Sequence, residues 1–332
     1  MKAFVTGSTG LLGSNLVRLL VEHGYEVSAM ARSVEKGQRI LGDLGVEIIM
    51  GDMLNVDGFA PGLAGVDVLF HVAAYFREYY QPGEHDTVLH AINVDKTIKL
   101  LKTAYEKGIR NIVYVSSGGV LGNYPDGRLT DEGVPYNEIT PNLYFQSKIA
   151  AEKAIYKILP KYPDLRLVMI LPGVMMGPGD SGPTPPGQFL IDYLQGNVPV
   201  ILPGGLTFVD ARDVAQAMLQ AVCKGESGER FIVDGVYTEL RSIMGTLKKI
   251  SGVPAPKVSI SYPLAMGMAW TMEQFSRVSG KPPLITRQAI RTLQHDVVPS
   301  SQKARKELGF QTRPLEATLR DEVLWFQENG YV

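Results

Sequence analysis

The first strand-like run of the chain, KAFVT, leads directly into TGSTGLLG (residues 6–13), where Gly7, Gly10 and Gly13 stand at three-residue spacing. No other feature restricts the fold as much. Glycine at 7 permits a tight turn. At 10 it lets backbone approach a pyrophosphate without a Cβ in the way, and at 13 it lets a helix pack closely on a sheet. The helix that follows offers free N–H groups and the positive end of a dipole. A glycine triplet alone is weak in a chain with 35 glycines. At the first strand–helix junction of an alternating chain it predicts dinucleotide binding, with Thr9, Leu11 and Leu12 completing the loop.

The alternation is there. EVSAMA (26–31), VEIIMGD, VDVLFHVAA, NIVYVSS (111–117) and LRLVMILP (165–172) read as buried strands. Between them LLGSNLVRLLVEHG, SVEKGQRILGDLG, residues 56–63, 87–108 and 141–159 read as helices. Strand, helix, strand, repeated, predicts an α/β fold with a doubly wound parallel sheet covered on both faces. After Leu171 the texture changes. PGVMMGPGDSGPTPPGQ (172–188) carries five prolines and five glycines and reads as a loop or substrate-shaping insert. FVDARDVAQAMLQAV (208–222) and ERFIVDG (229–235) read as a helix and a strand rejoining the sheet. The expectation is a dinucleotide-binding domain over 1–171, rejoined by about 207–235. A smaller, discontinuous substrate-binding part then covers 172–206 and 236–332.

The 332 residues carry a formal net charge of −1 with no basic or acidic block, which argues against nucleic-acid and membrane-surface roles. The longest apolar stretch, PLAMGMAW (263–270), falls far below the roughly 18 residues of a membrane span. With no leader before KAFVT, a cytoplasmic enzyme is expected. The single cysteine, Cys223, sits in the apolar run AMLQAVC and reads as core. The histidines have no metal-ligand spacing, and no metal is expected. His71 follows a buried strand and reads as a satisfied core or turn histidine.

The end of the second strand selects the coenzyme. A carboxylate there would accept from a ribose 2′-hydroxyl, and an arginine would neutralise a 2′-phosphate. The chain has Ala31-Arg32-Ser33, so NADP(H) is favoured, with NAD(H) as the alternative. Arg32 merely solvating a loop is the bland alternative. Asp52 has two readings, acceptor from the adenine amino group or cap of the turn before 56–63.

Residues 142–147, NLYFQS, look like a tag-protease scar. They lie far from either terminus, with Pro141 where the acidic residue of such a site would stand. The same letters hold Tyr144 and Lys148, four apart. With 15 tyrosines, roughly one such pair is expected by chance, so position has to carry the argument. The pair lies in the helix after the fifth strand, whose end bears Ser116-Ser117. Residues four apart share a helix face, and doubly wound sheets bind ligands at the carboxyl ends of their strands.

TGxxGxxG, HVAA (71–74), NVDKT (93–97), YVSSGGVLG (114–122), YFQSK (144–148), ARDVAQA (211–217), KARKELGF (303–310) and WFQENGYV (325–332) together resemble the extended short-chain dehydrogenase/reductases. The likeness runs from end to end. Arg32 and the Pro-Gly turn after the sixth strand look most like the dihydroflavonol reductase branch of carbonyl reductases. The resemblance implies a Rossmann-type sheet and a catalytic set of Tyr144, Lys148 and Ser117. Ser117 is chosen over Ser116 because a small pair, Gly118-Gly119, follows it; Ser116 is the fallback. The implied cofactor site adds Met53, Ala73, Ala74, Pro172, Gly173 and Val174. Asn93 matches a family position, with a polar anchor within its helix as the alternative. A homodimer through 87–108 and 141–159 is a further family-based expectation.

The expected chemistry is reduction of a ketone or aldehyde. Tyr144 protonates the alkoxide left by hydride transfer, or takes the proton in the oxidative direction. A phenol starts near pKa ~10. A unit positive charge at about 4 Å contributes up to ~4 kcal/mol at an effective dielectric of 20, or roughly three pKa units. Lys148 would also hold the nicotinamide ribose, and Ser117 the substrate oxygen. YFREYY (75–80), with Tyr75 and Phe76, lies at the same edge, and Met175, Met176, Phe189 and Phe208 are candidates for an apolar wall or for core. As wall, they imply a lipophilic carbonyl substrate. Two rivals stand. A nucleotide-sugar epimerase or dehydratase of the same family would typically carry an acidic residue after strand two and Asn after strand six. A non-catalytic dinucleotide sensor would not need Ser117, Tyr144 and Lys148 together.

Overall fold

The structure is a computed structural model that describes residues 1–76, 85–279, 285–294 and 298–332. Its centre is a parallel sheet of seven strands: β1 (Lys2–Thr6), β2 (Glu26–Ala31), β3 (Glu47–Met50), β4 (Val68–His71), β5 (Asn111–Val115), β6 (Arg166–Pro172) and, after two strands of another sheet, β9 (Arg230–Val233). The order is β3-β2-β1-β4-β5-β6-β9. The intervening strands, β7 (Val174–Met176) and β8 (Gly205–Asp210), form a small sheet with β10 (Val236–Glu239). β1, β4, β5 and β6 are almost wholly buried, which is why they read as unbroken apolar runs rather than alternating ones.

Helices cover both faces. In chain order they are α1 (Leu11–Glu22), α2 (Val34–Leu41), α3 (Val56–Phe59), α4 (Asp86–His90), α5 (Thr97–Glu106), α6 (Leu143–Ile158), α7 (Pro185–Leu194), α8 (Ala211–Lys224), α9 (Leu240–Ser251), α10 (Tyr262–Ser279), α11 (Arg287–Leu293) and α12 (Leu315–Glu328). The apolar stripes of α1 and α8 pack on one face of the large sheet, through Leu12, Leu16, Leu20, Val214 and Met218. Those of α5 and α6 pack on the other, through Leu100, Leu101, Ile149 and Ile155. A third apolar cluster joins β8, α7, α9 and α12 beside the sheet's carboxyl edge.

Several local expectations are corrected. The helix over 87–108 contains a π-helical turn, Ala91–Lys96, between α4 and α5. The stretch 56–63 is only one α turn, α3, followed by a 3-10 turn. Residues 172–188 are not all loop: they hold β7 and the first turn of α7, with Pro185 where a missing N–H costs nothing. The run from 208 begins as strand, and β8 pairs with β7 and β10, not with the large sheet. Cys223 is exposed. It lies seven residues after exposed Gln216, on the outer face of α8, while Met218, Leu219 and Val222 face inward.

The chain reverses its order across the sheet between β1 and β4, and there the ligand crevice opens. Thr6 stitches the two strand ends together, its Oγ1 accepting from the N–H groups of Val72 at 3.1 Å and Ala73 at 3.2 Å. The hydroxyl proton is then left for His71 Nδ1 at 2.8 Å, and His71 Nε2 reaches Thr97 Oγ1 at 2.9 Å. Both ring nitrogens are satisfied within the core, and burial pushes His71 down to about 3, so the ring is neutral.

Candidate active site

The glycine loop closes over this stitch. Gly7 has φ +68°, and a Cβ there would lie 2.8 Å from the Ala73 nitrogen. A Cβ on Gly13 would meet the Gly7 carbonyl at 2.1 Å, so this glycine lets the helix close on its own loop, more than on the sheet. Gly10 is different: its Cβ would have only ordinary contact, 3.5 Å to Gly7 O. As N-cap of α1 it has no side chain to take the first N–H groups. The helix start is therefore left for an anionic ligand, and the residues present fit the pyrophosphate of a dinucleotide.

One cavity of about 1070 Å³ runs from this loop across the carboxyl edge of the sheet. Every candidate borders it: Gly7, Thr9, Gly10, Leu11, Leu12, Gly13, Arg32, Asp52, Met53, Ala73, Ala74, Ser117, Tyr144, Lys148, Pro172, Gly173 and Val174. So do Tyr75, Phe76, Met175, Met176, Phe189 and Phe208, although Met176 and Phe208 are also buried members of the third cluster. The rest of YFREYY, residues 77–80, lies outside the described residues. Asp52 borders the cavity and also caps a turn, its Oδ1 accepting from Leu54 N at 2.8 Å.

Tyr144 and Lys148 sit one helical turn apart near the start of α6. Asn142 sets that start, its Oδ1 accepting from the N–H groups of Tyr144 at 3.0 Å and Phe145 at 3.3 Å. Tyr144 is 7% exposed and meets Phe76 edge-on, ring centroids 4.8 Å apart. Lys148 Nζ lies 5.9 Å from the Tyr144 ring centroid. It donates to the Val115 carbonyl at 2.7 Å and to Tyr114 Oη at 3.4 Å. Burial pushes the ammonium down to about 7, opposed by the Glu152 carboxylate. The expected full positive charge on Lys148 is therefore weakened by the burial of its ammonium.

The paired serines diverge. Ser116 is 2% exposed and donates to Glu152 Oε1 in the core. Both serines border the cavity, but Ser117 Oγ accepts from Gly119 N at 3.2 Å, so its hydroxyl proton remains available. Asn93 is an anchor between elements rather than within its helix. Its Oδ1 accepts from Tyr75 N at 2.7 Å, and its Nδ2 donates to Ser147 Oγ at 3.0 Å on α6.

Residues 3–234 match the NAD dependent epimerase/dehydratase family. The chain belongs to that family. Within it, the chain is 33% identical to the Synechocystis sp. protein named "Putative dihydroflavonol 4-reductase", over 99% of this chain and 95% of the relative. It is 31% identical to Sterol demethylase protein B of Methylococcus capsulatus over the full length of both. The crystal structure of gox2253 superposes with a TM-score of 0.84 at 32% identity and 99% coverage of each chain. The fold and the pyridine-nucleotide dependence of this extended short-chain dehydrogenase/reductase family are therefore those of this chain.

Family membership leaves several site residues unnamed that the fold supplies. Lys36, one helical turn into α2, borders the cavity beside Arg32, while Ser33 Oγ caps α2 by accepting from Lys36 N at 3.1 Å. The signal in the sequence is the spacing Arg32-x-x-x-Lys36, one helical turn. Glu152 is fully buried beneath the dyad, taking Ser116, Tyr136 Oη at 3.1 Å and Arg230 Nη1 at 3.4 Å. Asp234 is 2% exposed at the end of β9 and borders the cavity beside Gly173. Burial pushes its carboxyl up to about 6, opposed by Thr207 Oγ1 at 2.6 Å. Among the described residues no group of acidic, histidine or cysteine side chains has the arrangement of a metal site, and no helix is long and apolar enough to cross a membrane.

Proposed function

We propose that this chain is an NADP(H)-dependent reductase of a lipophilic ketone or aldehyde. The observation that carries it is the meeting of Ser117, Tyr144 and Lys148 on the cavity that the glycine loop opens into. A bound reduced dinucleotide supplies the hydride. Tyr144 gives its phenolic proton to the developing alkoxide. Ser117 donates its free hydroxyl proton to the same oxygen and fixes its position. Lys148, anchored on Val115 O, holds its remaining protons for ribose hydroxyls and biases Tyr144 toward ionisation when it is charged.

Two cationic residues at the β2 end, Arg32 and Lys36, support the 2′-phosphate form of the coenzyme. The rival sugar-nucleotide chemistry meets a steric objection after β6. A Cβ on Gly173 would come 1.9 Å from Asp234 Oδ1, so an Asn side chain there has to displace the Asp234 carboxyl. Met175, Phe189 and Phe208 give the substrate end an apolar wall.

The test is NADPH and NADH consumption with a panel of lipophilic carbonyl compounds. NADPH oxidation with one of them supports the reading. Turnover of a sugar nucleotide on tightly held NAD without net redox change replaces it with the epimerase reading, and dinucleotide binding with neither activity leaves the sensor.

A further inference from the structure

The apolar stretch 263–270 lies in α10. From Tyr262 to Ser276 the only acidic or basic side chain is Glu273. That carboxylate is committed to Arg287 of α11, accepting from its backbone N and its Nε at 2.7 Å each. Ala265 and Ala269 pack inward with Ile260 and Ile290. Outward, Leu264 is 54% exposed, Trp270 51% and Phe275 69%, separated by Gly267 and Thr271. At 100° per residue these five occupy an arc of about 140°. A solvated helix face of that width ordinarily carries charge, and between Leu264 and Phe275 this one has none; Arg277, seven residues after Trp270, comes only at its end. Next to it on the same helix, Met268 and Met272 line the cavity.

We propose that this face of α10 docks on the surface of a lipid bilayer, from which a lipophilic substrate passes Met268 and Met272 into the cavity. The substrate half of that statement rests on the reductase reading; the docking half does not. Area argues for lipid over a second copy of the chain. The exposed parts of Leu264, Trp270 and Phe275 amount to on the order of 350 Å², taking 150–250 Å² per aromatic side chain. That is under half of the ~800 Å² per partner of a standard protein interface. Shallow insertion of an apolar helix face needs no more, and tryptophan favours the bilayer boundary. Arg291 of α11, exposed at the cavity rim, suits phosphate headgroups. A net charge of −1 argues against adsorption by bulk charge, and among the described residues no helix is long and apolar enough to span. Insertion of three side chains needs neither.

The test is flotation with phosphatidylcholine vesicles, with and without phosphatidylglycerol. The wild-type protein is expected to float. The double variant Leu264→Ser/Phe275→Ser loses about tenfold or more in partitioning, while its thermal midpoint and its turnover of a water-soluble carbonyl stay unchanged. If the double variant is unstable, Phe275→Ser alone carries the same prediction. Wild-type protein that stays with the soluble fraction overturns the proposal, as do variants that float equally well. So does a concentration-dependent dimer that the variants dissolve, because a second copy then covers the face. Flotation is read without turnover, so a failure of the reductase reading is seen separately, as wild-type protein that floats and oxidises no NADPH.

Discussion

Ser116 and Ser117 are neighbours at the β5 end whose hydroxyls are held by different partners. Both border the cavity, but Ser116 Oγ is spent on buried Glu152, whereas Ser117 Oγ takes the Gly119 N–H and keeps its own proton. Substitution separates them. Ser117→Ala is expected to lower kcat by about tenfold or more at unchanged thermal midpoint, as loss of a positioned donor does. Ser116→Ala leaves Glu152 Oε1 without its donor and costs about 1–3 kcal/mol of stability, with a much smaller effect on kcat. Denaturant titration and steady-state kinetics of both variants check this; the reverse pattern restores Ser116 as the active serine.

Tyr144→Phe removes the proton and keeps the ring that packs on Phe76. Turnover is expected to fall by about 10² or more, with NADPH affinity nearly unchanged. Full activity in this variant sinks the assignment of Tyr144 as the acid.

Arg32→Ala and Lys36→Ala probe the coenzyme. Each is expected to weaken NADPH by roughly tenfold or more, the worth of a charge-assisted hydrogen bond, and NADH far less. Equal losses for the two coenzymes, measured by fluorescence titration, remove the case for a 2′-phosphate site.

Lys148 predicts a trade between stability and function. Its pKa is about 7 in the folded protein against 10.5 for an unperturbed lysine. The cost of burying its charge is therefore fully present below about pH 7. It fades as pH rises toward 10.5, where both folded and unfolded states become neutral. Lys148→Met is expected to abolish turnover and raise the thermal midpoint, with the largest gain below pH 7 and a shrinking one above it. A gain that grows with pH contradicts this sign.

Gly173→Asn places a side chain where the Asp234 carboxyl already sits. It is expected to destabilise the fold or displace β7, and Asp234→Gly in the same chain should restore part of the loss. A Gly173→Asn protein as stable as the wild type removes the steric argument against the sugar-nucleotide reading.

The glycine loop, the parallel strands and the Tyr144–Lys148 spacing were legible in the sequence because each is a local requirement. Gly7 needs its positive φ, a doubly buried strand needs an unbroken apolar run, and residues four apart share a helix face. The separation of Ser116 from Ser117, the charge state of Lys148 and the Gly173–Asp234 contact were not. Each depends on what a distant segment brings: Glu152 from α6, the closed core around β5, the end of β9. The same holds for α10, whose apolar letters are plain at 263–270 but whose outward face is fixed only by packing on Ile260 and Ile290. Patterns within a turn or a strand survive in the sequence because the backbone imposes their period. Burial and electrostatic environment do not, because long-range packing decides which surfaces lose water.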